Sequence, residues 1–299
     1  DYQPYPADTT HRSQKEGEMP MITNQTSTTG SPHRLGRRQL EMIADQLDHI
    51  DHRLLSLLRT HRYATTRQLS DISRLATAYA SARSALRQTT RRLNRHRHLG
   101  LVDHLERRIG GVRAGSTGYI WHLREPGHRL VAPERTTRHR TTEPSHAFLA
   151  HTLVITEARL VIERAAHDTG GHLSLLRTEP DCWRHWLLPG GGKRWLKPDL
   201  EAITTTAANE EDHWLCEIDL NTENPARLLT KCHDYQDHLN TDTEQASTGY
   251  YPQVIWIMNS LRRAARLAEQ IAADQYLTPG LFKIITSAEE LARLIQQGP

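Results

Sequence analysis

Two short acidic motifs carry the strongest chemical signal in the chain: Pro198-Asp199 and, further on, Glu217-Ile218-Asp219. Asp199 begins one predicted strand. Glu217 and Asp219 stand two apart on the next, so their side chains share one face. Adjacent strands lie about 5 Å apart, so the three carboxylates can converge on a hard divalent cation. Mg²⁺ or Mn²⁺ at such a site is held by one or two carboxylates and keeps several waters. One of these waters can be activated for attack on a phosphate. The plainer reading stays open: Pro-Asp is also a common turn, and Glu-x-Asp on an edge strand can be a solvated face.

A second chemistry is basic. Arg83, Arg87 and Arg91 recur every four residues and so line one face of a predicted helix. Ala82, Leu86, Thr89 and Leu93 line another face and would turn toward the core. A helix with one apolar and one arginine face suits the major groove of double-stranded DNA. Arg107, Arg108 and Arg113 lie on a Gly-rich turn between two predicted strands, where they would reach the neighbouring minor groove or backbone. The alternative is an arginine face exposed only to solvent.

Other motifs do not build a site. Cys182-x-x-His185 and Cys232-His233 lack the paired spacing of a zinc centre. Gly190-Gly191-Gly192-Lys193 lacks the spacing and following Ser/Thr of a phosphate-binding loop, and reads as a hairpin loop between two strands. Trp183, Trp186 and Trp195 flank it and are expected to pack in the core or against the loop. No Gly-x-Ser-x-Gly elbow occurs.

The elements that must position these residues fall into two modules. Residues 1–33 are Thr-, Ser-, Pro- and Gln-rich and read as a disordered tail. From 34 to 124 the pattern is three helices and a β-hairpin. The first helix carries Leu47, Ile50, Leu54, Leu57 and Leu58 and ends near His61. The second is capped by Thr65 with Gln68 and ends near Ser73, and the third runs from Ser81 to about His98. This is the layout of a winged helix-turn-helix. Residues 125–144, with three prolines, read as a linker. From 145 to 299 a helix, three strands in meander, a helix and a strand follow, the order of a restriction-endonuclease-like core. The expected class is therefore α+β, a winged helix-turn-helix followed by an α/β domain.

Composition agrees with this division. The 299 residues are 37% hydrophobic with mean hydropathy −0.66, and no stretch approaches the roughly 20 apolar residues of a membrane span. Three cysteines and no apolar leader fit a reducing, cytoplasmic setting. Net charge is +3 overall, but residues 34–124 hold 18 arginines against seven acids, or +11. Residues 145–299 hold 14 cations against 21 acids, or −7. The first block should attract a polyanion and the second repel it unless cations intervene.

The acidic motifs resemble the PD-(D/E)xK nuclease pattern. Asp199 and Glu217 match its two metal-binding acids, while Asp219 stands where the pattern carries lysine. The resemblance implies that Lys231, on the following helix with Tyr235 one turn later, replaces that lysine and steadies phosphate charge, with Asp219 assisting the metal or water. Glu157, on the helix before the sheet, is a further acid. Over residues 45–296 the chain also resembles the actinobacterial replication-relaxation family. The stretches that carry this are LLSLLRTHRYATTRQL from Leu54, GGVRAGSTGYIW from Gly110, KPDLEAI from Lys197, EIDLNTE from Glu217 and LLTKCHDY from Leu228. That family implies a plasmid or mobile-element protein acting in replication, relaxation or transfer. Two other readings remain: an accessory factor whose acidic domain recruits a replication or transfer protein, and a transcription regulator whose second domain forms a homodimer.

Overall fold

The computed structural model describes residues 35–105, 118–132, 144–188 and 190–299. The expected tail, the turn with Arg107, Arg108 and Arg113, and residues 133–143 of the expected linker lie outside the described residues.

Local sequence sets the first helices. After α1 (Arg37–Ala44), Asp48 accepts the N–H groups of Ile50 and Asp51 and starts α2 (His49–His61), which buries Leu54, Leu55, Leu57 and Leu58. The short β1 (Ala64–Thr65) leads into α3 (Thr66–Ala76). There Thr65 Oγ1 accepts the Gln68 N–H and Gln68 Oε1 accepts the Thr65 N–H, a reciprocal cap. Ser81 caps α4 (Ala82–His98). The strands β2 (Val102–Leu105) and β3 (Ile120–Leu123) close a three-stranded sheet in the order β1-β3-β2.

The buried stripe of α4 differs from expectation. Ala85, Thr89, Leu93 and His96 are buried, whereas Ala82 is exposed and Leu86 is 40% exposed. Both stripes have helical spacing, so periodicity alone cannot choose between them. The choice is made by Asp51 of α2, fully buried, which receives Arg92 Nη1 at 2.8 Å, His96 Nε2 at 3.0 Å and Arg95 Nη1 at 3.3 Å.

The expected linker is ordered at its start. Pro126 takes an early position in α5 (Glu125–Val131), where its missing N–H costs nothing. Gly127 is buried so closely that a Cβ there would lie 2.2 Å from the Leu101 carbonyl oxygen.

The second module begins with α6 (His146–Asp168) and β4 (His172–Thr178). A separate hairpin follows, β5 (Arg184–Leu187) and β6 (Lys193–Leu196), with Gly190–Gly192 in its loop. Then come β7 (Leu200–Thr205), β8 (Glu211–Asp219), α7 (Pro225–Leu239), α8 (Thr243–Thr248), β9 (Gln253–Met258), α9 (Leu261–Ala273), β10 (Phe282–Ile285) and α10 (Ala288–Gln297).

The main sheet has the order β10-β9-β8-β7-β4. Here β10, β9 and β8 are parallel, while β7 is antiparallel to both its neighbours. Trp214, Cys216 and Ile218 of β8 pack with Ile155, Ala158 and Ile162 of α6 and with Leu291 and Ile295 of α10. The alternate residues of β8 face α7, where Leu215 packs with Tyr235. Glu217 and Asp219 therefore share the α7 face, as their spacing requires.

Helix α6 belongs to both modules. Its Leu160 joins the cluster of Leu54, Leu58, Leu69 and Trp121, and Gln68 of α3 donates to the Leu153 carbonyl at 2.9 Å. Residues 35–299 form one compact unit. Among the described residues no helix is long and apolar enough to cross a membrane.

Candidate functional site

Asp199 stands where the β7–β8 ladder ends. Its N–H donates to the Cys216 carbonyl at 3.0 Å, and its Oδ2 accepts the Ile218 N–H at 2.8 Å. Leu200 pairs with Cys216, which sets Asp199 across from Glu217. Glu217 is 1% exposed and has both oxygens engaged: Tyr235 donates to Oε1 at 2.8 Å and Lys231 to Oε2 at 2.9 Å. Both donors come from α7, one turn apart. Lys231 also pairs with Glu223 at 3.1 Å.

The electrostatics follow from burial. Loss of water pushes Glu217 up to about 7, with the neighbouring Asp199 charge adding to the rise and Lys231 opposing it. For Lys231, burial disfavours the charge, but Glu217, Asp199 and Glu223 together outweigh it and raise the ammonium above its usual value. Tyr235 is held as a neutral donor, well above the ordinary phenol value, because it is buried beside that carboxylate.

Sequence reasoning missed His151. From α6 its Nε2 lies 3.1 Å from Asp199 Oδ1, and this hydrogen bond raises the imidazole above its ordinary value. The two residues are far apart in sequence, and a lone histidine on a helix gives no spacing signal.

Asp219 lies on the expected face but is directed elsewhere. Arg263 Nε of α9 binds its Oδ2 at 2.7 Å, and the Asn221 N–H donates to Oδ1 at 3.1 Å. Its carboxylate thus ties α9 to the end of β8 and does not turn toward Lys231. Glu157 also departs from expectation: it faces α3, where Gln68 donates to it at 3.2 Å. The site that forms is Asp199, Glu217, Lys231, Tyr235 and His151. Among the described residues no group of three or more His, Cys, Asp or Glu is arranged to hold a metal.

On α4 the arginines are sorted by their partners. Arg92 and Arg95 are drawn to Asp48 and Asp51, and Arg97 to Asp103. Arg83, Arg87 and Arg91 are exposed. Arg87 and Arg91, with Arg92 and Arg95, line a groove of about 540 Å³.

Residues 55–254 match the replication-relaxation family, a span from α2 to the start of β9 that contains α4, Asp199, Glu217 and Lys231. The chain belongs to that family. Comparison with curated proteins and with solved structures gives no match.

Proposed function

We propose that the chain is a DNA-binding protein of a plasmid or other mobile element, acting in replication, relaxation or transfer. In this reading a winged helix-turn-helix over residues 34–124 seats it on duplex DNA. A restriction-endonuclease-like domain over 145–299 then acts on a phosphodiester bond. The observation that carries it is the meeting of Lys231 with Glu217, 2.9 Å apart, across the strand pair from Asp199. A helix-borne lysine thereby occupies the role that the strand position of Asp219 leaves unfilled.

Asp199 and Glu217 fit Mg²⁺ or Mn²⁺. Both offer hard oxygen donors, and a carboxylate oxygen that accepts one hydrogen bond keeps a further lone pair. When bound, the ion would supply Lewis acidity and a water of lowered pKa. Lys231 fixes one oxygen of Glu217 and brings a cation to the phosphate, and Tyr235 fixes the other. His151 orients Asp199 and holds its proton to a higher pH than a free imidazole does. Arg83, Arg87 and Arg91 meet the phosphates or guanine edges of the groove. Arg107, Arg108 and Arg113 serve the adjoining backbone.

The test is conversion of supercoiled plasmid to nicked or linear form with Mg²⁺ or Mn²⁺. Wild type should cleave, and Glu217→Gln and Lys231→Ala should not. A second reading, a non-enzymatic accessory factor, is favoured by one observation: each oxygen of Asp199 and Glu217 already accepts a hydrogen bond within the protein. Absence of cleavage together with no calorimetric Mn²⁺ binding, in wild type and Asp199→Ala alike, would decide for it.

A further inference from the structure

The β5–β6 hairpin has two unlike faces. Its inner face is pinned down. Trp186 is buried beside Leu215 and Tyr235, Arg194 binds Asp234 and Asp237 at 2.6 Å each, and Arg184 binds Glu201 at 2.7 Å. Its outer face pairs His185 with Trp195 and Leu187 with Lys193, and Trp183 meets Lys197 one rung further, with the ammonium 4.6 Å from the ring centroid.

Trp195 does not pack in the core, one of the two places the sequence allowed for it. It is 46% exposed, its ring 5.0 Å from that of His185, and Leu187 is 66% exposed. Lys193 and Lys197 are exposed too. Four acids beside the hairpin, Glu201, Glu244, Asp234 and Asp237, pair with its inner arginines, while the ammonium groups of Lys193 and Lys197 stand on the outer face within a module of net charge −7.

We propose that this face is a stacking platform for single-stranded DNA. Aromatic rings with interleaved cations bind single strands by stacking on bases while pairing with phosphates. Rungs on one face of a hairpin repeat every two residues, about 7 Å. Bases in a duplex lie about 3.4 Å apart and already stack on one another. Trp195, the exposed ring, can therefore take only bases that have left a helix, while the half-buried Trp183 meets it edge-on, 6.5 Å between ring centroids, and holds Lys197 beside it. Because the inner face is fixed by Arg184 and Arg194, the platform needs no reordering to bind. Along the chain it adjoins the candidate site, since Lys197 is followed by Pro198 and Asp199.

The proposal depends on neither cleavage nor the docking of α4. The experiment is anisotropy of a short fluorescein-labelled oligothymidylate and of a labelled duplex, both in EDTA with the full chain. Trp195→Ala should weaken oligothymidylate binding about tenfold and leave duplex binding unchanged. Trp195→Phe should retain most of the affinity but lose part of the tryptophan quenching seen on binding. Arg87→Ala should lower duplex binding only. Equal oligothymidylate affinity in wild type and Trp195→Ala would overturn the platform. So would loss, in Trp195→Ala, of a dimer seen by sedimentation or of binding to anionic phosphatidylglycerol vesicles, with oligothymidylate affinity unaltered.

Discussion

Lys231 Nζ lies 2.9 Å from Glu217 Oε2, joining the lysine of α7 to a carboxylate that is almost wholly buried on β8. Burial still dominates at Glu217 and lifts it from an ordinary 4.5 to about 7. Between these values the folded chain binds a proton that the unfolded chain has released. The contribution of this group to stability is therefore complete below the unfolded value and is lost as pH rises through about 7. Glu217→Gln abolishes that titration. In urea unfolding it should gain on wild type when pH is raised from about 5 to about 8, and parallel pH profiles would refute the assignment.

Asp51 holds α4 against α2, and its loss leaves Arg92 and His96 without their buried acceptor. Asp51→Ala should cost about 3 kcal/mol of folding stability. Chemical denaturation monitored by circular dichroism checks this, and a change within error of wild type would mean the clamp is dispensable.

Arg87 is exposed on α4 and lines the groove there. If it neutralises a phosphate, Arg87→Ala should weaken duplex affinity across sequences and reduce the slope of log affinity against log salt by about 0.9. An unaltered slope would remove α4 from the interface.

Gly127 admits no side chain without moving the Leu101 backbone. Gly127→Ala should destabilise by about 1–3 kcal/mol, the usual cost of overpacking. Thermal unfolding of the two proteins side by side would show a lowered midpoint.

Much of the architecture is legible in the sequence because local signals and burial agree. The Thr65–Gln68 cap, the Ser81 cap and the leucines of α2 mark their helices, and the alternation along β8 marks the face of Glu217. What escapes is set by distant partners. Nothing around Asp219 announces Arg263, and nothing around Asp199 announces His151. The rotation of α4 depends on Asp51, and α5 forms from a Pro- and Gly-bearing stretch because it packs where Gly127 can approach the backbone. Lys231 could be placed only once the order of elements was known, since it stands on helix α7 and its partner on strand β8.

Leu160 completes the leucine cluster around Trp121, although it is carried by the helix that backs the sheet. During synthesis the amino-terminal module cannot finish its interior until the ribosome has passed that residue and α6 has wound. A fragment stopping at residue 144 would present a greasy socket, and one starting at 145 the matching plug. Both should be sticky and protease-sensitive, whereas the intact chain should melt as one.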